Sequence, residues 1–323
     1  MLDIHFLNVA DGDAILIEDR TGEKPFRMLV DAGRDVIAPR EGSLRLSVQA
    51  YLREKNISRI DVLVITHLHI DHFGGLRALL PELEIGDVYA GFFPTHPGAR
   101  IPEEPDGQKT IRGMIDCVNR WVEDAEQLRE KGCRLQPVTR TLSDLALTPG
   151  LRADICCPNE TVNAAQNRIW QDLLDGRDVP EDLKYWASKS RNPGSLRLRL
   201  RYAGRSVELA GDCYGEVWDR EALAPCDIFK TPHHCDAKAL TPLLVQKLHP
   251  AHAVISCGAD YIAHKDRPSE GAVALLREQG ARCWFTDSFS APWQAPVYWN
   301  SIDFTILENG EILAPSNSEN GGR

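Results

Sequence analysis

Four consecutive apolar residues, Val62, Leu63, Val64 and Ile65, constrain this chain most. Alternate side chains of a strand point to opposite faces, so a strand apolar at every position must be covered on both. The run over residues 61–66 stops abruptly at Thr66-His67-Leu68-His69-Ile70-Asp71-His72-Phe73-Gly74-Gly75. That predicts an inner strand of a layered α/β fold whose end opens onto a polar turn. Residues 4–9 and 14–18 read as strands flanking Asp11-Gly12-Asp13, and 27–30 as a third leading to Asp31-Ala32-Gly33. β-Branched and apolar residues bounded by Gly/Asp clusters are the strand–turn signature. Leu46, Val48, Tyr51 and Leu52 have near-helical spacing, and Asn56 fits a helix end. Strands return at 196–202, 206–209, 227–230 and 253–257, followed by a helix over about 269–279.

The middle of the chain differs. Ile111, Ile115, Val118, Val122, Ala125 and Leu128 recur at three- and four-residue steps, which predicts one long amphipathic helix. Ile169, Trp170, Leu173 and Leu174, then Leu183, Tyr185 and Trp186, predict shorter helices around Pro180. The stretch from about 100 to 190 is therefore read as a helical insert within a single domain spanning 1–314, and 315–323 as a disordered tail. A length of 323 residues suits one large α/β domain or two small ones. With 43% hydrophobic and 26% charged residues there is material for a core, which excludes disordered, collagen-like and coiled-coil readings. No fixed-period repeat is present.

A formal net charge of -10 disfavours a protein that coats duplex DNA by neutralising phosphates, while leaving a local basic cleft open. The nine cysteines include no C-x-x-C pair, and read as reduced thiols of a cytosolic protein rather than a disulfide framework. The start lacks a basic segment followed by an apolar one, and no apolar run approaches the ~20 residues of a membrane-spanning helix. The expected compartment is the cytoplasm, with no membrane partner.

The chemistry concentrates in residues 67–72. Three histidines and an aspartate fall within six residues, and imidazole nitrogen and carboxylate oxygen are ligands that zinc, manganese and iron accept. His67 and His69 are two apart, so an extended segment projects both to one side. Asp71 and His72 fall where a helix would begin, placed to face a second ion. Gly74 and Gly75 are expected to let the backbone turn tightly. Partners are sought at His96, at Gly211-Asp212, at Thr231-Pro232-His233-His234, and at His264. Asp212 and His233 each follow a predicted strand, and open sheets build sites at strand ends.

Taken in order, His-x-His-x-Asp-His, a later Gly-Asp and a later His after a strand resemble the metallo-β-lactamase superfamily. Within it, the chain is most similar to the hydrolase domain of ComEC-type DNA-internalisation proteins and their soluble relatives. The similarity is carried by the turn Asn8-Val9-Ala10-Asp11-Gly12-Asp13, by Asp31-Ala32-Gly33, and by Asn192-Pro193-Gly194-Ser195. It continues through Leu209-Ala210-Gly211-Asp212, Lys230-Thr231-Pro232-His233-His234, Ile255-Ser256-Cys257-Gly258 and Phe285-Thr286-Asp287. The resemblance implies an α/β fold of the α+β type, an αββα sandwich with metals at one edge. It implies that His67 and His69 hold one ion and that Asp71, His72 and His233 hold a second, with Asp212 shared. His96 and His234 are further candidate ligands. Zinc is the first expectation for the two divalent ions and manganese the second. Cys235-Asp236 stands where the group has Gly-Ser, and His264-Lys265-Asp266-Arg267 lengthens another of its turns.

The reaction implied is hydrolysis by a hydroxide activated between two ions, with Asp71, Asp212 and His264 as candidate catalytic residues. The expected substrate is anionic, nucleic acid or nucleotide, cleaved as by a phosphodiesterase or nuclease. His264, Lys265 and Arg267 are candidate phosphate contacts, set against a simple solvated loop. Arg197, Arg199 and Arg201 read as the wet face of a strand. Asp13 and Asp31 are expected either to support the ligands from behind, Asp31 by orienting a histidine, or to be simple turn formers. Two other classes stay open: hydrolysis of a lactone, thioester or other ester at the same site, and a non-catalytic metal-stabilised module whose insert docks a protein partner.

Overall fold

The computed structural model describes residues 1–219, 221–258, 267–287, 294–295 and 297–315. Strands β1 (Leu2–Leu7), β2 (Ile15–Asp19), β3 (Phe26–Val30), β4 (Arg59–Ile65), β5 (Glu84–Ala90) and β6 (Arg134–Pro137) lie side by side in chain order in one sheet. Strands β7 (Leu142–Ala146), β8 (Leu151–Cys156), β9 (Arg197–Tyr202), β10 (Arg205–Leu209), β11 (Ile228–Lys230), β12 (His252–Ile255) and β13 (Arg282–Phe285) form the second, again in order. Then β14 (Ser301–Ile306) returns to pair antiparallel with β1, Leu2 opposite Ile306, and β15 (Ile312–Leu313) completes that edge. Strands β3 to β6 run parallel, as do β10 to β13.

The helices are α1 (Val48–Glu54), α2 (Ile70–Phe73), α3 (Leu76–Leu79), α4 (Lys109–Glu130), α5 (Glu160–Leu174), α6 (Glu181–Lys189), α7 (Gly215–Trp218), α8 (Pro242–Leu248) and α9 (Glu270–Glu278). The four-residue apolar run explains the layering. Val62 and Val64 face the second sheet, in a core with Ile4, Phe6, Leu198, Leu200, Leu209 and Ile228. Leu63 and Ile65 face the other way, into a core with Tyr51, Ile115, Val118 and Trp121 of α1 and α4. Outside the second sheet, Phe229, Ala253 and Ile255 pack with Trp218, Leu244, Val245, Val273 and Leu276 of α7 to α9. Two sheets face to face with helices outside are the expected αββα sandwich. Each fully buried apolar side chain in these layers contributes roughly 1.5–3 kcal/mol.

Two expectations change. The stretch 100–190 is not a purely helical insert: α4, α5 and α6 are there, with the periodic face of α4 buried, but β6, β7 and β8 complete the two sheets. Residues 151–156 do alternate, with Leu151, Ala153 and Ile155 buried, and β8 pairs with β9 from Leu151↔Tyr202 to Cys156↔Arg197. Nor are the arginines of β9 uniformly a wet face: Arg197 is buried, and Arg199 and Arg201 are half-buried. Arg197 is buried against Glu208 at 2.9 Å and Glu221, its guanidinium 4.1 Å from the Trp218 ring centroid. Arg201 pairs with Asp154 and Asp144. Counter-charges on neighbouring strands let the row lie against protein. Among the described residues no helix is long and apolar enough to cross a membrane. All of the expected tail except Pro315 lies outside the described residues.

A buried polar cluster on β1 predicts a pH profile. His5 Nδ1 lies 2.9 Å from Asp303 Oδ1, and Nε2 lies 3.5 Å from Glu18 Oε2. Burial opposes the histidine's charge, but the two carboxylates outweigh it and raise its pKa to about 9. Burial likewise opposes Glu18, which His5, Arg27 and Arg20 nonetheless hold at about 2. The histidine's contribution is full below its unfolded value of 6.5 and is lost as pH rises towards 9. That of Glu18 is present above 4.5 and is lost as pH falls towards 2. Melting temperature followed against pH should therefore fall on both sides of a plateau. The alkaline fall should flatten in His5→Gln; an unchanged alkaline limb in that variant would show that His5 does not cause it.

Candidate metal centre

The neighbouring strands β3 and β4 end at Val30 and Ile65, and β10 and β11 at Leu209 and Lys230. Asp31, His67, Asp212 and His233 follow these ends, so the site collects where parallel strands of both sheets finish. Gly75 makes the approach possible by space rather than by dihedral freedom. It has φ −72° and ψ −15°, open to any residue, but a Cβ there would stand 2.2 Å from the Ala32 carbonyl oxygen.

Asp31 sits at φ 59°. Its carboxylate accepts from Thr66 N and Thr66 Oγ1, both at 2.8 Å, and lies 2.7 Å from His72 Nδ1. That fixes the His72 ring and turns its Nε2 to Asp212 Oδ1 at 3.3 Å. His67 Nε2 lies 3.6 Å from Asp212 Oδ2 and 2.8 Å from His69 Nδ1. Behind them, Ser195 Oγ accepts from Asp212 N at 3.1 Å and lies 3.3 Å from His67 Nδ1. Ser195 has no role assigned from sequence, although its Asn-Pro-Gly-Ser motif is one of those carrying the resemblance.

His233, His234 and Cys235 have φ values of 46°, 53° and 59°, three non-glycine residues in the left-handed region. This turn sends the paired histidines in different directions. His234 points inward, 1% exposed, with Nε2 3.4 Å from Asp71 Oδ2. His233 Nδ1 lies 2.5 Å from Asp236 Oδ2, while its Nε2 is 2.6 Å from Arg267 Nη2 and 3.8 Å from Asp212 Oδ2. Two sets of possible ligand atoms thus gather, each within 4.8 Å: His67, His69 and Asp212; and Asp71, His72 and His234. A third, overlapping set joins Asp13 to His72 and Asp212. The resemblance pointed to His233 in the second set, where the structure brings His234. His96 stands apart, exposed, its Nε2 4.0 Å from Asp175. His264 and Lys265 lie outside the described residues. Asp13 Oδ2 accepts from Lys230 Nζ at 2.7 Å, a buried partner unassigned from sequence, where it figures only as part of a motif.

The lowered groups, His67, His69, Asp71 and Asp212, keep lone pairs free for a cation, whereas, against burial, the carboxylates raise His72 and His234. Burial, then the neighbouring His72 and His69, hold His67 well below its ordinary value. Burial and Arg191 take His69 down to about 3. Burial opposes the charges of Asp71 and Asp212, but His234 acting on the former and His72 on the latter hold both well below the usual carboxylate range. His72, whose charge burial also opposes, is raised by Asp212 and Asp31. No hydrogen bond satisfies the buried His72 Nε2, Asp212 Oδ1, Asp13 Oδ1 or either ring nitrogen of His234, although His72 faces Asp212 and His234 faces Asp71 as ion pairs. Each such atom costs about 1–3 kcal/mol, and their gathering at one spot, as nitrogen and carboxylate donors, fits divalent cations.

The profile of the metallo-beta-lactamase superfamily matches residues 8–259. ComE operon protein 3 of Bacillus subtilis (strain 168) is 23% identical over 244 residues, 73% of this chain and 25% of that protein. The chain thus spans about a quarter of the curated relative it matches. Among solved structures, the metallo-beta-lactamase fold protein YhfI of Bacillus subtilis matches 88% of this chain and 95% of its own at 9% identity and a TM-score of 0.46. Unliganded yeast PDE1 matches 88% and 97% at 12% identity and a TM-score of 0.45.

Proposed function

Because the chain belongs to the metallo-beta-lactamase superfamily, we propose that it is a metal-dependent phosphodiesterase acting on nucleic acid or nucleotides. The observation that carries the reading is the cluster of buried imidazole and carboxylate atoms without hydrogen bonds around Asp212. His67, His69 and Asp212 would hold one ion, and Asp71, His72 and His234 a second, with Asp212 facing both sets. Divalent ions held there would supply Lewis acidity and water acidic enough to ionise near neutral pH. The protein's own share is orientation. Asp31 fixes the His72 ring, and Ser195 fixes the backbone of Asp212 and lies against His67. Ionised Asp71 and Asp212 do not cancel two divalent charges, so the centre attracts anions although the chain is acidic.

Arg267 supports an anionic substrate. Its side chain is 33% exposed, and Nη2 rests against His233 and lies 3.7 Å from Asp236. A guanidinium so placed can offer its remaining donors to a phosphate. Arg267→Ala should raise KM roughly tenfold with little change in kcat, as expected for loss of uniform binding. A KM equal to the parent's would remove Arg267 from the binding site. The reading itself is tested by incubating metal-loaded protein with labelled DNA, RNA and cyclic and linear dinucleotides, alongside chromogenic lactones and thioesters. Metal-dependent cleavage of at least one phosphodiester is expected. Turnover confined to the lactones or thioesters would overturn the assignment of the bond.

A further inference from the structure

A buried lysine sits beneath the cluster, where neither proposed ligand set requires one. Lys230, the last residue of β11, is fully buried, and its Nζ donates to Asp13 Oδ2 at 2.7 Å and to the Thr231 carbonyl at 2.8 Å. Asp13 lies between β1 and β2, in the other sheet, so the pair ties the two sheets together at the edge where the site forms.

A tie needs only one carboxylate oxygen. The other, Asp13 Oδ1, is buried without a partner in a side chain only 1% exposed. Asp13 also offers an oxygen within 4.8 Å of ligand atoms of His72 and Asp212. An interior carboxylate oxygen with nothing to accept from is costly, and one turned towards a cation is not. Resting on the metal-centre reading above, we propose that Asp13 is a third carboxylate of the centre, its Oδ1 serving the bound ions, with Lys230 as its built-in counter-ion. Asp13, Asp71 and Asp212 then face two divalent ions, and the lysine returns one positive charge, which keeps the centre attractive to an anion.

Metal titration of the stripped full-length chain, with zinc or manganese against a chromophoric chelator, tests this together with the melting temperature of each stripped variant. Asp13→Asn keeps an oxygen for Lys230 and should weaken ion binding roughly ten- to a hundredfold while the stripped protein melts near the parent. Lys230→Met should lower the melting temperature of the stripped protein, regain it on adding metal, and bind ions at least as tightly as the parent. The apolar pair Asp13→Leu/Lys230→Met removes both charges, and should fold yet bind ions weakly. A folded Asp13→Asn or double variant that binds ions with parental affinity would overturn the proposal and leave only a structural tie. Should neither fold, Lys230→Met decides: weakened ion binding overturns the proposal, and parental or tighter binding supports it. A parent that binds no ion would remove the metal-centre reading, and this proposal with it.

Discussion

Replacing Asp212 by alanine should reduce turnover on the order of a thousandfold or more while leaving a folded protein. The carboxylate lies 3.6 Å from His67, 3.3 Å from His72 and 3.8 Å from His233. It thus faces a candidate ligand of each set, His67 in one and His72 in the other. The fold should survive because the local backbone is held independently. Asp212 N donates to Ser195 Oγ, and His233 N donates to the Gly211 carbonyl at 3.2 Å, so neither anchor uses the carboxylate. His72 keeps Asp31 as a partner. The rate constant on whichever phosphodiester the parent cleaves, read beside the far-ultraviolet dichroism, gives the answer. A folded Asp212→Ala that keeps most of its activity would show that the two-ion mechanism is wrong.

The second large effect is on stability. Gly75→Ala should destabilise the fold by about 3 kcal/mol or more, a fall in melting temperature of roughly 5–10 °C. The backbone angles would accept alanine, so the loss comes from space alone: the new Cβ would meet the Ala32 carbonyl oxygen at 2.2 Å and that of Arg34 at 3.1 Å. Both contacts are backbone, which cannot swing aside as a flexible side chain can. Relief would push residues 70–75 away from 31–34, against the Gly75 N to Gly33 O bond at 3.0 Å and the Ala32 N to His72 O bond at 2.6 Å. His72 and Asp31 are carried by those same segments, so metal binding should weaken together with stability. A variant melting within a degree or two of the parent would show that the segments slide freely past each other.

Much of this was legible in the sequence, for a physical reason. A strand buried on both faces is apolar at every position, so Val62 to Ile65 announced the inner strand, and the apolar stripe of α4 announced its buried face. Local spacing also announced the His/Asp cluster, because His67 to His72 supply much of it from one turn. What escaped depended on partners distant in the chain. Residues 151–156 alternate over a short span and 142–146 do not alternate at all; they join a sheet only because β8 pairs with β9 and β7 with β8. Strand β14 owes its place to β1, nearly three hundred residues earlier, with His5 opposite Asp303 across the pair. Arg197 is buried because Glu208 and Glu221 meet it from other segments. Both His233 and His234 are buried, and the left-handed turn that carries them, rather than composition or spacing, sets which one meets Asp71. The Asp13–Lys230 pair joins two motifs legible separately, and its geometry appears only when the sheets close.

The central claim is that these side chains form a metal centre, and counting ions tests it most directly. Elemental analysis of the parent and of His67→Ala, purified without chelators, should find about two tightly held divalent ions per parent chain and fewer in the variant. Less than one ion per parent chain, in protein that is folded, would contradict the account.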